Sequence, residues 1–182
     1  KKKVGEVAEV LRISHKLDNK ATALSGGEMQ RVSMGRALVR NPRIFLMDEP
    51  LSSLDAKLRG ELRTELKRIQ AELGATILYV THDQIEAMTL ATQIGVLHKG
   101  RLEQFGTPRE IYETPASQYV ATRLGSPRIN TLPVELFGDA PTGATTIGLR
   151  PEHISLGDGQ ECKVTRVEHL GDQTRLHLRL ID

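Results

Sequence analysis

Tryptophan is absent from this 182-residue sequence, and aromatic residues of all kinds make up only 3%. A site for single-stranded nucleic acid needs aromatic faces on which bases stack, so that class of partner is disfavoured at once. One cysteine, Cys162, has no second cysteine to pair with, which fits a reducing compartment such as the cytoplasm. No apolar run approaches the roughly 18 residues that a membrane span needs. The first residues, Lys1-Lys2-Lys3-Val4-Gly5-Glu6, lack the apolar core of a secretion signal, and no Met precedes them, as expected of a chain that begins inside a longer protein. No charge of one sign dominates. The net charge is +2, from 25 basic and 23 acidic residues that are interspersed, which argues against a nucleic-acid surface. The dipeptide Gly-Lys does not occur, so no Gly-x-x-x-x-Gly-Lys-[Ser/Thr] phosphate loop lies within these residues.

What is present divides into two regions. Residues 1–125 read as α/β and residues 126–182 as β-rich, with the join near Gly125-Ser126-Pro127. Val4, Val7, Ala8 and Leu11 recur at helical spacing. A second helix is expected from Ser25 or Gly26 to about Arg40, with Asn41-Pro42 as its stop. Ile44-Phe45-Leu46-Met47 and Thr76-Ile77-Leu78-Tyr79-Val80-Thr81 are short, continuous apolar runs and read as fully buried parallel strands. Between them, Leu58, Leu62, Leu66, Ile69 and Leu73 mark one helix face that ends at Gly74. Strand, helix and strand at this spacing form a βαβ unit. Residues 94–97 and 101–105 flank His98-Lys99-Gly100 as a hairpin, and short helices are expected over 108–113 and 117–124. In the second region Leu176, Leu178 and Leu180 alternate with polar residues as a half-buried strand. Val164 and Val167 break parity, which predicts a bulge, and Gly171-Asp172 marks the turn between.

Ligands of open parallel sheets bind beyond the C-terminal ends of the strands. There the first strand carries Asp48-Glu49 and the second Thr81-His82-Asp83. Two carboxylates and a histidine on one rim can hold Mg²⁺, polarise water and sense a phosphate. Taken singly, each has a plainer reading: a solvated turn for Asp48-Glu49, a packing or capping histidine for His82. Leu24-Ser25-Gly26-Gly27-Glu28 opens a helix whose N–H groups favour an anion, although Ser-Gly-Gly also serves as an ordinary cap. His98, His153, His169 and His177 have no metal-site spacing.

The whole series, Leu24-Ser25-Gly26-Gly27-Glu28-Met29-Gln30-Arg31, Arg43 to Pro50, Leu51-Ser52-Ser53-Leu54-Asp55 and Thr81-His82-Asp83, resembles the signature motif, Walker B, D-loop and switch histidine of ABC transporter ATPases. The resemblance implies part of a P-loop NTPase sheet with helices. It implies that Ser25, Gly26, Gly27 and Glu28 face ATP held by a partner subunit, and that Asp48 holds Mg²⁺ through water. Glu49 would be the general base, His82 would contact the γ-phosphate, and Asp55 would lie across the dimer interface. Position 28 is Glu where the family most often has Gln. The family's Walker A loop and Gln loop precede the signature motif, where this chain has only 23 residues. Both are expected upstream or lost, and the chain alone is expected to be inactive.

Gly148-Leu149-Arg150-Pro151-Glu152-His153-Ile154 resembles a motif in the C-terminal regulatory domain of maltose-transporter-type ATPases, an OB-type β-barrel called TOBE, and here a partial one. The resemblance implies an ATPase homodimer on transmembrane permease subunits at the inner face of the cell membrane, with room for a regulatory protein on the C-terminal domain. Sugars, sugar alcohols or polyol phosphates are the expected cargo. The alternatives are a polyamine, iron or sulfate importer, a non-catalytic regulatory or dimerisation fragment, and a soluble ABC protein acting on ribosomes or in DNA repair.

Overall fold

The computed structural model describes residues 1–40, 42–74, 76–138, 142–157 and 159–181. Two compact units emerge, Lys1–Ala116 and Ser117–Asp182.

In the first unit, helix α1 (Lys2–Val10) packs on α2 (Gly26–Arg40). Gly35 lets the two approach, since a Cβ there would stand 3.1 Å from Leu11 Cδ1. Strand β1 (Ile44–Asp48), helix α3 (Ala56–Leu73) and strand β2 (Thr76–Val80) form the expected βαβ unit. β1 and β2 are parallel, in a register that runs from Ile44 opposite Thr76 to Asp48 opposite Val80. Both strands therefore finish at the same end of the pair.

Asp55 starts α3 by accepting the Leu58 N–H at 2.9 Å, and Gly74 ends it in the left-handed conformation at φ 58°. The apolar face of α3 enters the core through Leu62, Leu66 and Ile69, with Leu58 packed at its edge. The Leu73 side chain and Asn41 lie outside the described residues. Leu11, Leu51 and Leu62 are fully buried there. Each such side chain contributes about 1.5–3 kcal/mol by leaving water.

The strands differ from expectation in one respect. Phe45 and Met47 are buried, but Ile44 is 60% and Leu46 76% exposed, as are Leu78 and Val80 on β2. Alternation sends one face of β1 into the core, and nothing among the described residues of this unit covers the other. A continuous apolar run records a strand made for cover on both faces, whereas the described unit covers one.

Helix α4 (Gln84–Leu90) follows, capped by Asp83. The expected hairpin is present as β3 (Ile94–His98) and β4 (Arg101–Gly106), antiparallel. Helix α5 (Pro108–Glu113) opens with a capping box between Thr107 and Glu110.

In the second unit, α6 covers only Gln118–Ala121, shorter than the expected 117–124. Its end is fixed by Arg150, a 5%-exposed side chain whose guanidinium donates to the carbonyls of Ala121 and Leu124. β5 (Asn130–Pro133) pairs antiparallel with β6 (Thr146–Leu149), and β7 (Cys162–His169) with β8 (Thr174–Leu180). The predicted bulge appears as a register shift between Val164 and Arg166, and Gly171 makes the turn at φ 90°. Leu176 and Leu178 are 40% and 39% exposed, more than a half-buried strand implies.

Candidate functional site

The site is built where β1 and β2 end. The Glu49 N–H donates to Val80 O at 2.9 Å, which carries the parallel pairing one residue past the strand. Glu49 then adopts φ 44°, a left-handed conformation uncommon for a residue with a Cβ. That turn directs its carboxylate toward the neighbouring strand's loop, where Oε1 lies 2.8 Å from His82 Nδ1. The hydrogen bond and charge of Glu49 raise the His82 imidazole above its ordinary pKa. Asp48, one residue earlier, is the exposed last residue of β1. A small cleft lies here, lined by Glu49, Ser52 and Arg59 from one segment and by Thr81, His82, Asp83 and Glu86 from the other.

The His82 loop is held from beneath. Glu86 is 2% exposed, and its Oε2 accepts from Tyr79 Oη at 2.9 Å and from Thr81 Oγ1 at 2.7 Å. The Thr81 hydroxyl in turn accepts the Asp83 N–H at 3.0 Å. Burial first, and the bond to Glu86 second, push the Tyr79 phenol well above its usual range, so it remains a donor.

The segment between β1 and α3 is also held. Gln30 of α2 donates to Glu49 O at 3.1 Å and accepts from the Ser53 hydroxyl. Gly27 lies against Leu54, whose Cδ2 would be 3.1 Å from a Cβ at that position. Asp55 spends its carboxylate capping α3.

The start of α2 forms a capping box. Ser25 N donates to Glu28 Oε2 at 2.8 Å, and Glu28 N donates to Ser25 Oγ at 3.3 Å. Lys16 adds an ion pair to Glu28 at 3.1 Å. The Ser25 N–H foremost, then Lys16 and the Ser25 hydroxyl, hold the Glu28 carboxyl at about 2, well below its ordinary value. The extra negative charge that glutamate brings to position 28 is thus matched locally. Around Gly26 there is open space.

The structure therefore brings Glu49 and His82 into contact, while Asp48 is the exposed last residue of β1, just before Glu49. Ser25, Gly26, Gly27 and Glu28 form a separate cluster, tied to the Glu49 turn through Gln30 and Gly27. Asp55 sits at the far end of that turn. Sequence reasoning gave no role to Gln30, Ser53, Arg59, Tyr79 or Glu86. The signal for Glu86 was present, since Asp83 and Glu86 have capping-box spacing, but the side chain turns instead to Tyr79 and Thr81. Arg150 stands out in the sequence only as part of a motif.

Residues 1–52 match the family model of the ABC transporter, and residues 147–182 match that of the TOBE domain. The sn-glycerol-3-phosphate import ATP-binding protein of Ruegeria sp. is 48% identical across 97% of this chain and 55% of that protein. The xylose/arabinose import ATP-binding protein of Haloferax volcanii is 45% identical across the whole of this chain and 54% of that one. The chain spans about half the length of the curated relatives it matches. Among solved structures, the ADP conformation of an ATP-binding cassette of an ABC transporter is 28% identical with a TM-score of 0.55, covering 65% of this chain and 48% of that one. The two matched segments and the relatives agree with the strand–helix order: the chain belongs to the ABC transporter ATP-binding family, in the branch that carries a TOBE domain.

Proposed function

We propose that this chain is part of the ATP-hydrolysing subunit of an ABC importer for sugars, sugar alcohols or polyol phosphates. The observation that carries the reading is the 2.8 Å contact between Glu49 and His82 at the shared end of two parallel strands. Glu49 is the general base that takes the proton of the attacking water. His82 stands where a donor can meet the γ-phosphate, and its bond to Glu49 keeps the group for the water and the group for the phosphate in one geometry. Phosphoryl transfer needs little covalent help, so positioning and charge do most of the work.

Asp48 suits Mg²⁺. Mg²⁺ keeps several waters and takes one or two carboxylates, and Asp48 offers one exposed carboxylate at the strand end. Bound Mg²⁺ would neutralise charge on the β- and γ-phosphates. The start of α2, with Ser25, Gly26 and Gly27, serves ATP held by a partner subunit, since helix N–H groups and open space at Gly26 favour an anion. Asp55 lies at the dimer interface. The working assembly is a homodimer of ATPase subunits on transmembrane permease subunits, at the inner face of the cell membrane. Residues 126–182 serve as a regulatory domain on which a further protein can dock. The names of the relatives, import ATP-binding proteins for sn-glycerol 3-phosphate and for xylose and arabinose, support the cargo class.

These 182 residues hold no Gly-x-x-x-x-Gly-Lys-[Ser/Thr] loop, so alone they bind ATP weakly and do not turn it over. The test is Mg·ATP hydrolysis by the full-length subunit and by the 182-residue chain, with uptake of labelled sn-glycerol 3-phosphate and xylose into vesicles bearing the complex. Hydrolysis confined to the full-length subunit, coupled to uptake of a polyol or sugar, is expected. A full-length subunit without ATPase activity, or turnover by the 182-residue chain alone, refutes the reading.

A further inference from the structure

Arg59 touches neither Glu49 nor His82, yet it lines their cleft and reaches both of the segments that carry them. It stands in the first turns of α3, where its own N–H donates to Asp55 O at 2.9 Å. Its guanidinium turns back over the segment between β1 and α3. Nε donates to Leu51 O at 3.3 Å, and Nη2 donates to Ser52 O at 3.4 Å and to Leu54 O at 3.0 Å. The remaining arm, Nη1, donates to Asp83 Oδ2 at 3.4 Å.

Asp83 is itself fixed. Its other oxygen accepts the N–H groups of Ile85 at 2.8 Å and Glu86 at 3.1 Å, and its own N–H is held by Thr81. His82 therefore lies between two anchored residues, and one of the anchors is tied to Arg59. On the other side, the carbonyls of Leu51, Ser52 and Leu54, in the segment that leads into Asp55, are tied to the same group. A guanidinium is a rigid plane with five donors, and this one spans four acceptors on two loops. A lysine ammonium has three donors around one point and cannot span them.

We propose that Arg59 is a positioning residue that locks the Leu51–Asp55 segment to the His82 loop, so that the groups around the phosphate end of ATP move as one body. The proposal rests on the reading of Glu49 and His82 as ATP-site residues for its catalytic consequence, and on geometry alone for the mechanical coupling. Its conservative alternative is a plain staple that holds α3 in place and has no influence beyond its own turn.

The two are separated in the full-length subunit with Arg59→Lys, Arg59→Met and Asp83→Asn. Amide hydrogen exchange reads the coupling without any need for activity. In both Arg59 variants, amides 52–55 and 82–86 exchange faster together, while those of the β3–β4 hairpin keep the wild-type rate. Asp83→Asn, made in one loop, speeds exchange in the other. In ATP hydrolysis, kcat falls about 10–100-fold with KM within about twofold, because a misplacement of about 1 Å costs on that order. Arg59→Lys does not restore the rate, and the Arg59→Met/Asp83→Asn double variant is no slower than Arg59→Met alone. Loosening of one loop only, or a loss carried by KM, overturns the proposal. A wild-type subunit that does not hydrolyse ATP refutes the function reading instead, and the exchange pattern still decides the role of Arg59.

Discussion

Truncation of Glu86 to alanine isolates what the buried carboxylate contributes to the His82 loop. Glu86 is 2% exposed, and one of its oxygens accepts from two hydroxyls, Tyr79 and Thr81. A hydrogen bond to a charged group is worth about 1.5–3 kcal/mol, and a buried hydroxyl left without its partner loses about 1–3 kcal/mol. Tyr79 and Thr81 are only partly buried, so water can replace some of what is lost. The expected net loss is about 2–4 kcal/mol for Glu86→Ala. Glu86→Gln keeps an amide oxygen where both hydroxyls can converge and should cost about half as much. For a domain of this size 1 kcal/mol shifts Tm by about 2–4 °C, so Glu86→Ala should melt about 4–16 °C lower. Far-UV circular dichroism is the assay, because α1 to α5 all lie in the first unit and dominate the signal. Melting of Glu86→Ala within about 2 °C of wild type would show that the two hydroxyls do not depend on this carboxylate.

Two further outcomes follow from the same kind of geometry. Glu28 is held at about 2 in the folded chain against an ordinary 4.5. A lowered folded pKa means that its stabilisation of the α2 start is complete above pH 4.5 and is lost as pH falls toward 2. The carboxyl carbon of Glu28, followed by NMR, should titrate near the lower value, and a midpoint near the ordinary one contradicts the capping box with Lys16. Arg150→Met removes the guanidinium from the carbonyls of Ala121 and Leu124 and should cost about 2–4 kcal/mol of the second unit's stability. Faster amide exchange over 118–124, partly restored by Arg150→Lys, is the check, and unchanged exchange contradicts it.

Much of the first unit was legible because its signals are local. The α2 start at Gly26, the parallel β1–β2 pair, the Gly74 stop and the hairpin follow from capping chemistry, strand–helix alternation and turn residues. The bulge in β7 was legible from broken parity alone. The meeting of Glu49 with His82 was legible only as a shared rim. Its contact depends on the left-handed turn at Glu49, which no neighbouring glycine announces. Strand cover was overestimated, because an apolar run records what a strand is suited to touch rather than what lies against it. Long side chains escaped notice for a different reason. Arg59 and Arg150 act at distances of 24 and 29 residues or fewer along the chain, through guanidinium reach that no periodicity encodes. Gln30 and Glu86 sit inside recognisable motifs, yet their hydrogen-bond partners are set by tertiary packing.

The central claim is that Glu49 is the base and His82 its oriented partner at an ATP site. Glu49→Gln in the full-length subunit tests it most directly, because the change keeps size and removes only the carboxylate. Single-turnover hydrolysis should slow about 10²–10⁴-fold, the usual contribution of a general base, while ATP affinity stays within a few-fold. A variant that hydrolyses ATP at the wild-type rate would contradict the assignment of Glu49 and of the site built around it.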